Sequence, residues 1–207
     1  IATAKSYRGG AGIRALRDLL KELARIHVLD PACGSGNFLV NAYDELRSRE
    51  RDILWTLKAR EGTQIRRTTP HVQLENFHGI ELNTLAADTA RLSLFIAEHI
   101  ANRNDEAVLD TGGQALPLGR GGDIRCGNAL ALDWNDLRIP DTGGPVYIAS
   151  NPPFLGASRQ SPEQKDDIDR VFAGRPGTSR NLDYVDCWLV RAAKYIEAHG
   201  GRAGFVA

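Results

Sequence analysis

The chain is short of several residue types and patterns that define large classes of protein. It has 207 residues, no methionine and three cysteines, and its 26 Lys and Arg are balanced by 26 Asp and Glu. Cys33, Cys126 and Cys187 are far apart and form no Cys-x-x-Cys pair, so neither a disulfide framework nor a zinc site is indicated, and we expect no metal. With a net charge of zero there is no overall positive field to hold a polyanion.

Long apolar segments are also missing. No run approaches the roughly 18 residues that span a bilayer, and no basic-then-apolar leader opens the chain. We therefore expect neither a secreted nor a membrane protein, and the isolated cysteines fit a reducing cytoplasm. The length suits one α/β domain with a single substantial core.

The two ends of the chain indicate a piece of a longer protein. The sequence begins at Ile1 without a methionine and stops at Ala207, within a segment whose pattern predicts a strand. We predict one domain over residues 1–207, incomplete at its C-terminal end, with a leading helix within residues 1–26.

The segment from Val28 to Leu39 organises the chain. An apolar run ends at Asp30, a loop with Gly34 and Gly36 follows, and helical periodicity then resumes, which predicts strand, turn and helix. Glycines at these positions permit backbone conformations and close approaches that a Cβ forbids. In open α/β sheets, ligands bind beyond the carboxyl ends of strands.

Three familiar glycine motifs are excluded at this loop. A dinucleotide site needs a third glycine where Leu39 stands, and a P-loop needs a Gly-Lys-Ser/Thr sequence. A nucleophile elbow needs glycines two residues on either side of Ser35, but Cys33 and Asn37 occupy those positions. A strand-end carboxylate beside a glycine loop without phosphate-binding residues suits a small cationic ligand that carries a nucleoside.

A second predicted strand also ends in a carboxylate. Residues 76–81 form this strand, and Glu81 at its end is suited to accept hydrogen bonds from ribose hydroxyls. Asn83 caps a predicted helix from about Thr84 to Ala101 that carries Leu85, Leu92 and Ile96. The alternative is that Glu81 is only a partner of a helix cap. Before this strand, the charge run 47–51 predicts a solvated helix face.

The second half of the chain supplies two more strand ends. Residues 124–130 predict a short third strand and a turn that contains Asn128. Val146–Ser150 predicts a fourth strand, and Asn151-Pro152-Pro153-Phe154 follows at its carboxyl end, where two prolines cannot continue a sheet ladder. The alternative for this tetrapeptide is a rigid turn.

Three further elements complete the predicted domain. Ser161 and Gln164 form a capping box with proline at the first helical position. A stripe from Leu182 to Ile196 predicts another helix, ended by Gly200 and Gly201. Ala203–Ala207 begins a fifth strand.

These motifs resemble those of methyltransferases that modify amino groups of DNA bases with S-adenosylmethionine (AdoMet). Asp30-Pro31-Ala32-Cys33-Gly34-Ser35-Gly36 resembles their first cofactor motif, and Asn151-Pro152-Pro153-Phe154 resembles their catalytic motif, in which the final phenylalanine is typical of adenine-specific enzymes. Gly79-Ile80-Glu81, Ala90-Arg91-Leu92 and Leu182-Asp183-Tyr184 look like the MmeI-like (type IIG/IIL) restriction-modification enzymes.

The resemblance implies a fold and a cofactor site. The fold is the α/β class I AdoMet-methyltransferase (Rossmann-like) fold, an open sheet with helices on both faces, here truncated before its last strands. The cofactor is AdoMet, and the implied cofactor-binding residues are Asp30, Pro31, Ala32, Cys33, Gly34, Ser35, Gly36, Phe38, Glu81, Leu82, Asn128 and Ala129. Asn128 departs from the family pattern, in which aspartate is common at the adenine-binding turn.

The resemblance also implies a reaction, methyl transfer to the N6 amine of a flipped-out adenine, with Asn151, Pro152, Pro153 and Phe154 as catalytic residues. Two acceptors, the Asn151 side-chain oxygen and the Pro152 carbonyl, would hold the two N–H bonds of the amine, and Phe154 would stack on the base. The parent protein would hold double-stranded DNA through other domains, together with an endonuclease and a target-recognition domain, in a bacterial or archaeal cytoplasm.

Other functions stay open at this point. A protein-glutamine methyltransferase shares Asn-Pro-Pro but usually has tyrosine next, an RNA N-methyltransferase would use the same amine chemistry, and a non-catalytic domain can keep AdoMet as a scaffold. The family's additional AdoMet motif is not evident in residues 1–27.

Overall fold

The computed structural model describes residues 10–61, 69–105, 121–137, 139, 143–173 and 181–206. Five helices and five strands lie within these ranges. The first half contains α1 (Gly10–Leu23), β1 (His27–Asp30), α2 (Asn37–Glu61), β2 (Phe77–Glu81) and α3 (Thr84–Asp105), and the second half contains β3 (Asp123–Cys126), β4 (Val146–Ser150), α4 (Pro162–Val171), α5 (Asp186–His199) and β5 (Arg202–Phe205). The predicted leading helix corresponds to α1, and residues 1–9 lie outside the described ranges.

The five strands form one parallel sheet in the order β3-β2-β1-β4-β5. β1 is central, with Asp30 beside Gly79 of β2 and Leu29 beside Ile148 of β4. The chain first builds outward from β1 through β2 to β3 and then returns to add β4 on the other side. The strand order therefore reverses between β1 and β4, which is where open α/β sheets bind ligands.

Alternate residues of the central strand face the two layers of helices. Val28 packs with Phe77 and Ile124 in the apolar layer that α2 and α3 cover. Leu29 belongs instead to the layer of Ile148 and Trp188, on the side of α4 and α5. The predicted open sheet with helices on both faces is confirmed. Of the helices described here, none is both long enough and apolar enough to cross a membrane.

The charge run on α2 is not the solvated face that the sequence predicts. Arg47 and Glu50 are 1% and 0% exposed. Arg47 Nη2 lies 2.7 Å from Asp105 Oδ2, and Glu50 accepts hydrogen bonds from the backbone and ring of His71. Only Arg49, about half exposed, fits the prediction. Because Asp105 is fixed by Arg47 and also by Arg51, α3 continues four residues beyond its predicted end at Ala101.

The faces of α3 divide according to side-chain size. Its small side chains are turned toward the sheet and α2, where Ala87 and Ala90 are fully buried beside Leu94. Leu85, Leu92 and Ile96 lie on the outer face and remain 76%, 59% and 47% exposed. The alanine-rich face is therefore the packing face of this helix.

The predicted stripe from Leu182 to Ile196 is only partly helical. Helix α5 begins at Asp186, because the segment before it is held by polar bonds: the Leu182 carbonyl accepts from Gln160 Nε2. Leu189 is 44% exposed, and Cys187 and Trp188 are buried in its place. The capping box at Ser161 is confirmed, with both reciprocal hydrogen bonds and Pro162 as the first helical residue.

Candidate cofactor and amine-binding site

The glycine loop connects β1 to α2 at the carboxyl edge of the sheet. Gly34 and Gly36 have φ of +54° and +88°, a region that side chains other than glycine rarely adopt. A Cβ on Gly36 would lie 3.1 Å from the Cβ of Ala90, so the loop packs directly on α3. A Cβ on Gly34 would meet nothing within 4 Å. The open space beside Gly34 is available to a ligand.

Asp30 ends β1 as a fully buried carboxylate. Its Oδ1 accepts from Ser150 Oγ at 2.6 Å and from the backbone N–H of Ala32 at 3.1 Å. Its Oδ2 has no hydrogen-bond partner among the described residues, although it is buried. Burial raises the pKa of Asp30 to about 6, while the bond from Ser150 acts in the opposite direction. A buried carboxylate with one unsatisfied oxygen is suited to a cationic ligand.

Glu81 ends β2 and is bonded to the glycine loop. Oε2 accepts from the backbone N–H of Gly34 at 2.9 Å, and Oε1 accepts from the backbone N–H of Asn83 at 2.8 Å. Each carboxylate oxygen has two lone pairs, so Glu81 retains acceptor capacity for ribose hydroxyls. Leu82, the next residue, is 72% exposed and presents an apolar surface beside this edge.

Asn128 lies in the turn after β3, and that turn is joined to the end of β2. The backbone N–H of Gly127 donates to the Glu81 carbonyl at 2.8 Å. The Asn128 side-chain amide donates to Asp167 Oδ2 at 2.9 Å, and its oxygen accepts from the backbone N–H of Leu130. One lone pair of that oxygen remains available to an exocyclic amine. The neighbouring Ala129 is buried.

Asp167 on α4 was not among the predicted site residues. It is 4% exposed and accepts from Tyr184 Oη at 2.7 Å and from Arg170 Nη1 at 2.5 Å, in addition to Asn128. It therefore orients the Asn128 amide and joins it to the segment that precedes α5. The sequence offers no local signal for this role, because Asn128 and Tyr184 come from two other segments of the chain.

The predicted catalytic tetrapeptide directly follows β4. Asn151 and Pro153 are exposed and Pro152 is buried, while the Phe154 side chain is 48% exposed. Asn151 comes immediately after Ser150, the residue that bonds Asp30. The amide and the aromatic ring are thus accessible at the same sheet edge as Asp30 and Glu81.

Leu155, the residue after this tetrapeptide, is hydrogen-bonded through both its backbone N–H and its carbonyl. The N–H of Leu155 donates to Asp183 Oδ1 at 2.8 Å. Its carbonyl accepts from the backbone N–H of Tyr184 at 3.1 Å and from Gln160 Nε2 at 2.8 Å. Sequence reasoning missed the bonds that Asp183 and Gln160 make to this backbone, although Asp183 lies within one of the quoted family-like motifs.

The remaining predicted cofactor residues lie in the loop or the first turn of α2: Pro31, Ala32, Cys33, Ser35 and Phe38. Trp188 Nε1 of α5 donates to the Pro31 carbonyl at 3.1 Å. Cys33 is buried, and burial raises the pKa of its thiol to about 12. The neutral thiol is consequently a packing group rather than a nucleophile.

These features fit a cationic nucleoside cofactor. The unsatisfied oxygen of Asp30 suits a positive charge, the space beside Gly34 admits a close approach, and Glu81 retains acceptors for a ribose. The hydrogen bond from Ser150 to Asp30 joins β4 to β1, and the bond from Gly34 to Glu81 joins the glycine loop to β2. Asn128 is bonded to Asp167 of α4.

Comparison with known proteins finds similarity to DNA methyltransferases. The family model described as MmeI, DNA-methyltransferase domain, matches residues 5–207. DNA methyltransferase A of Bacillus subtilis (strain 168) is 39% identical over 196 residues, which are 92% of this chain and 22% of that protein. A putative type II restriction enzyme and methyltransferase of Methanocaldococcus jannaschii is 36% identical over 60% of this chain and 10% of its own length.

The similarity extends to a solved structure. The type IIL restriction-modification enzyme MmeI in complex with DNA superposes with a TM-score of 0.80 and 34% identity, over 93% of this chain and 26% of that one. The chain therefore spans about a quarter of the length of these relatives or less. The fold and the site define a methyltransferase domain of the open α/β type. The chain belongs to the MmeI DNA-methyltransferase domain family, as its motifs predict.

Proposed function

We propose that this domain transfers the methyl group of AdoMet to the N6 amine of a flipped-out adenine in DNA, as the modification part of a restriction-modification or phage-defence enzyme. The observation that carries the proposal is the covalent and hydrogen-bonded connection between the two predicted half-sites. Asn151 begins the amine-binding tetrapeptide, and its neighbour Ser150 bonds the carboxylate of Asp30. The proposed cofactor and base sites would therefore adjoin at the point where the strand order reverses.

The cofactor half of the site rests on β1 and β2. Asp30 would accept from a cationic group through its free oxygen, and Glu81 would accept from the ribose hydroxyls through its remaining lone pairs. The Asn128 oxygen would take the adenine amine of the cofactor while Asp167 fixes the amide. AdoMet, when bound, supplies an electrophilic methyl group on a positively charged sulfur.

The base half of the site has to make a poor nucleophile reactive. The exocyclic amine of adenine shares its lone pair with the ring, and two fixed acceptors favour a more tetrahedral nitrogen. The side-chain oxygen of Asn151 and the carbonyl of Pro152 would be those acceptors, and catalysis would be mainly positioning and electrostatics. The bonds on Leu155 hold the tetrapeptide in place for this task. Phe154, about half exposed, offers a face for stacking.

The target amine is paired inside the duplex, so the nucleotide must leave the stack to reach this site. The domain has balanced charges, 26 of each sign, so a strong and specific hold on duplex DNA requires contacts from elsewhere. Relatives about four times longer have room for such domains. We propose that the parent protein supplies a target-recognition domain, and an endonuclease where it also restricts, in the cytoplasm of a bacterium or archaeon.

The test uses the full-length protein with tritiated AdoMet and genomic DNA, RNA or a bacterial release factor as alternative acceptors. We expect label in DNA, recovered on digestion as N6-methyl-2′-deoxyadenosine. Label on the N4 amine of cytosine would contradict adenine specificity. Label in the release factor or in RNA would overturn DNA as the substrate, and AdoMet binding without any transfer would indicate a scaffold.

A further inference from the structure

The hydroxyl of Ser150 lies between the two proposed halves of the site. Ser150 belongs neither to the predicted cofactor-binding residues nor to the predicted catalytic residues. Ser150 is the last residue of β4 and is fully buried. Its Oγ lies 2.6 Å from Asp30 Oδ1 on the neighbouring strand, across 120 positions of sequence. A distance this short is typical of a hydroxyl that donates to an ionised carboxylate.

The two oxygens of Asp30 have different surroundings. Oδ1 receives both donors, Ser150 Oγ and the Ala32 N–H. Oδ2 is buried and has no partner within the described part of the chain. A buried acceptor left unsatisfied destabilises the fold unless a ligand completes it, so the arrangement assigns Oδ1 to the protein and Oδ2 to a ligand.

The other charged and titratable groups around Asp30 do not stabilise its negative charge. Glu81 at the end of β2 repels it, and Cys33 in the loop carries a neutral thiol. Arg91 of α3 acts on Cys33, and α5 contributes Trp188, which bonds the Pro31 carbonyl instead. Ser150 is thus the one side chain among the described residues that donates a hydrogen bond to the Asp30 carboxylate.

We propose that Ser150 is a positioning residue of the cofactor site, which holds Asp30 as an ionised carboxylate with Oδ2 left to accept from a cationic group of AdoMet. The proposal rests on the proposed use of AdoMet and adds a residue to it. Because Ser150 adjoins Asn151, the same bond also fixes the start of the amine-binding tetrapeptide relative to the cofactor site.

A pH profile separates this role from simple packing. Since Asp30 has a pKa of about 6, wild-type affinity for AdoMet should decline as the pH falls through about 6. Ser150→Ala removes a donor to a charged group, which corresponds to a rise of roughly one to two units in the Asp30 pKa. AdoMet affinity should then be about two- to tenfold lower than wild type at pH 7 and nearly equal to it at pH 9.

The measurement is calorimetric AdoMet affinity from pH 5.5 to 9 on the full-length protein. Ser150→Thr, which keeps the hydroxyl, should restore the wild-type midpoint, and Ser161→Ala, at a helix cap outside the site, should leave it unchanged. A Ser150→Ala loss of equal size at every pH, or an unmoved midpoint, would overturn the proposal. If the wild type binds no AdoMet at any pH, the proposed function fails, and this inference fails with it.

Discussion

Glu81 Oε2 accepts a hydrogen bond of 2.9 Å from the backbone N–H of Gly34, 47 positions earlier in the chain. The carboxylate thus holds the glycine loop in place from the neighbouring strand, and a ribose would bind against an already formed loop. The same side chain serves the architecture of the site and, under the proposal, the cofactor.

Glu81→Ala is expected to lower AdoMet affinity at least tenfold. It removes the acceptor for Gly34 and the proposed ribose acceptor, and a hydrogen bond to a charged group contributes about 1.5 to 3 kcal/mol. Calorimetry on the folded variant gives the affinity, with Glu45→Ala on the exposed side of α2 as the matched control. Unchanged affinity would remove Glu81 from the cofactor site.

Asp183→Ala should lower kcat about tenfold or more and leave AdoMet affinity within about twofold of the parent. The carboxylate fixes the N–H of Leu155, and its loss frees the tetrapeptide from a charge-assisted bond of about 1.5 kcal/mol or more. Single-turnover methylation and calorimetry measure the two quantities, with the exposed Asp166→Ala as control. Equal loss of AdoMet affinity would show that Asp183 does not act through the Asn151–Phe154 tetrapeptide.

His27→Phe should change how stability depends on pH. His27 Nδ1 lies 3.2 Å from His78 Nε2 inside the sheet, and burial, with the nearby His78, lowers the pKa of His27 to about 4. Between about pH 6.5 and 4, His27 is therefore protonated in the unfolded chain but neutral in the folded chain. As the pH falls through this window, His27 lowers the free energy of unfolding.

Asp30 opposes this effect, because its folded pKa of about 6 lies above the unfolded value of 3.8. Its protonation favours the folded state as the pH falls below 6. Relative to wild type, His27→Phe should gain stability between pH 6.5 and 4 in urea unfolding experiments. A difference in unfolding free energy that stays constant with pH would contradict the assignment.

Much of the scaffold could be predicted because its signals are local. The Val146–Ser150 strand, the capping box at Ser161 and the glycine loop each depend on residues adjacent in sequence. Arg47 and Glu50 were misjudged because a charged side chain is buried only when partners such as Asp105 arrive from another segment. Asp183 and Asp167 were missed for the same reason. The short motifs identified the strand ends of the site, and the bonds that orient them became visible only in three dimensions.

Phe154→Ala should weaken capture of the flipped base and spare AdoMet binding. Stacking of a base on an aromatic ring contributes roughly 1 to 3 kcal/mol, and the ring is about half exposed at the sheet edge. Fluorescence of 2-aminopurine at the target position reports base capture, and Phe154→Tyr should keep most of it. Equal 2-aminopurine signals for Phe154→Ala and the parent would exclude stacking on this side chain.

The central claim is that Asn151 holds the target amine while the carboxylates of β1 and β2 hold the cofactor. Methyl incorporation into adenine by full-length Asn151→Ala, with AdoMet affinity measured on the same preparation, tests it most directly. By analogy with the removal of one oxyanion-hole donor, the rate should fall about 10² to 10³-fold. AdoMet affinity should stay within about twofold of the parent, and the exposed Asn104→Ala on α3 should change neither quantity. Methylation by Asn151→Ala at the parental rate would contradict the account and leave the tetrapeptide as a rigid turn.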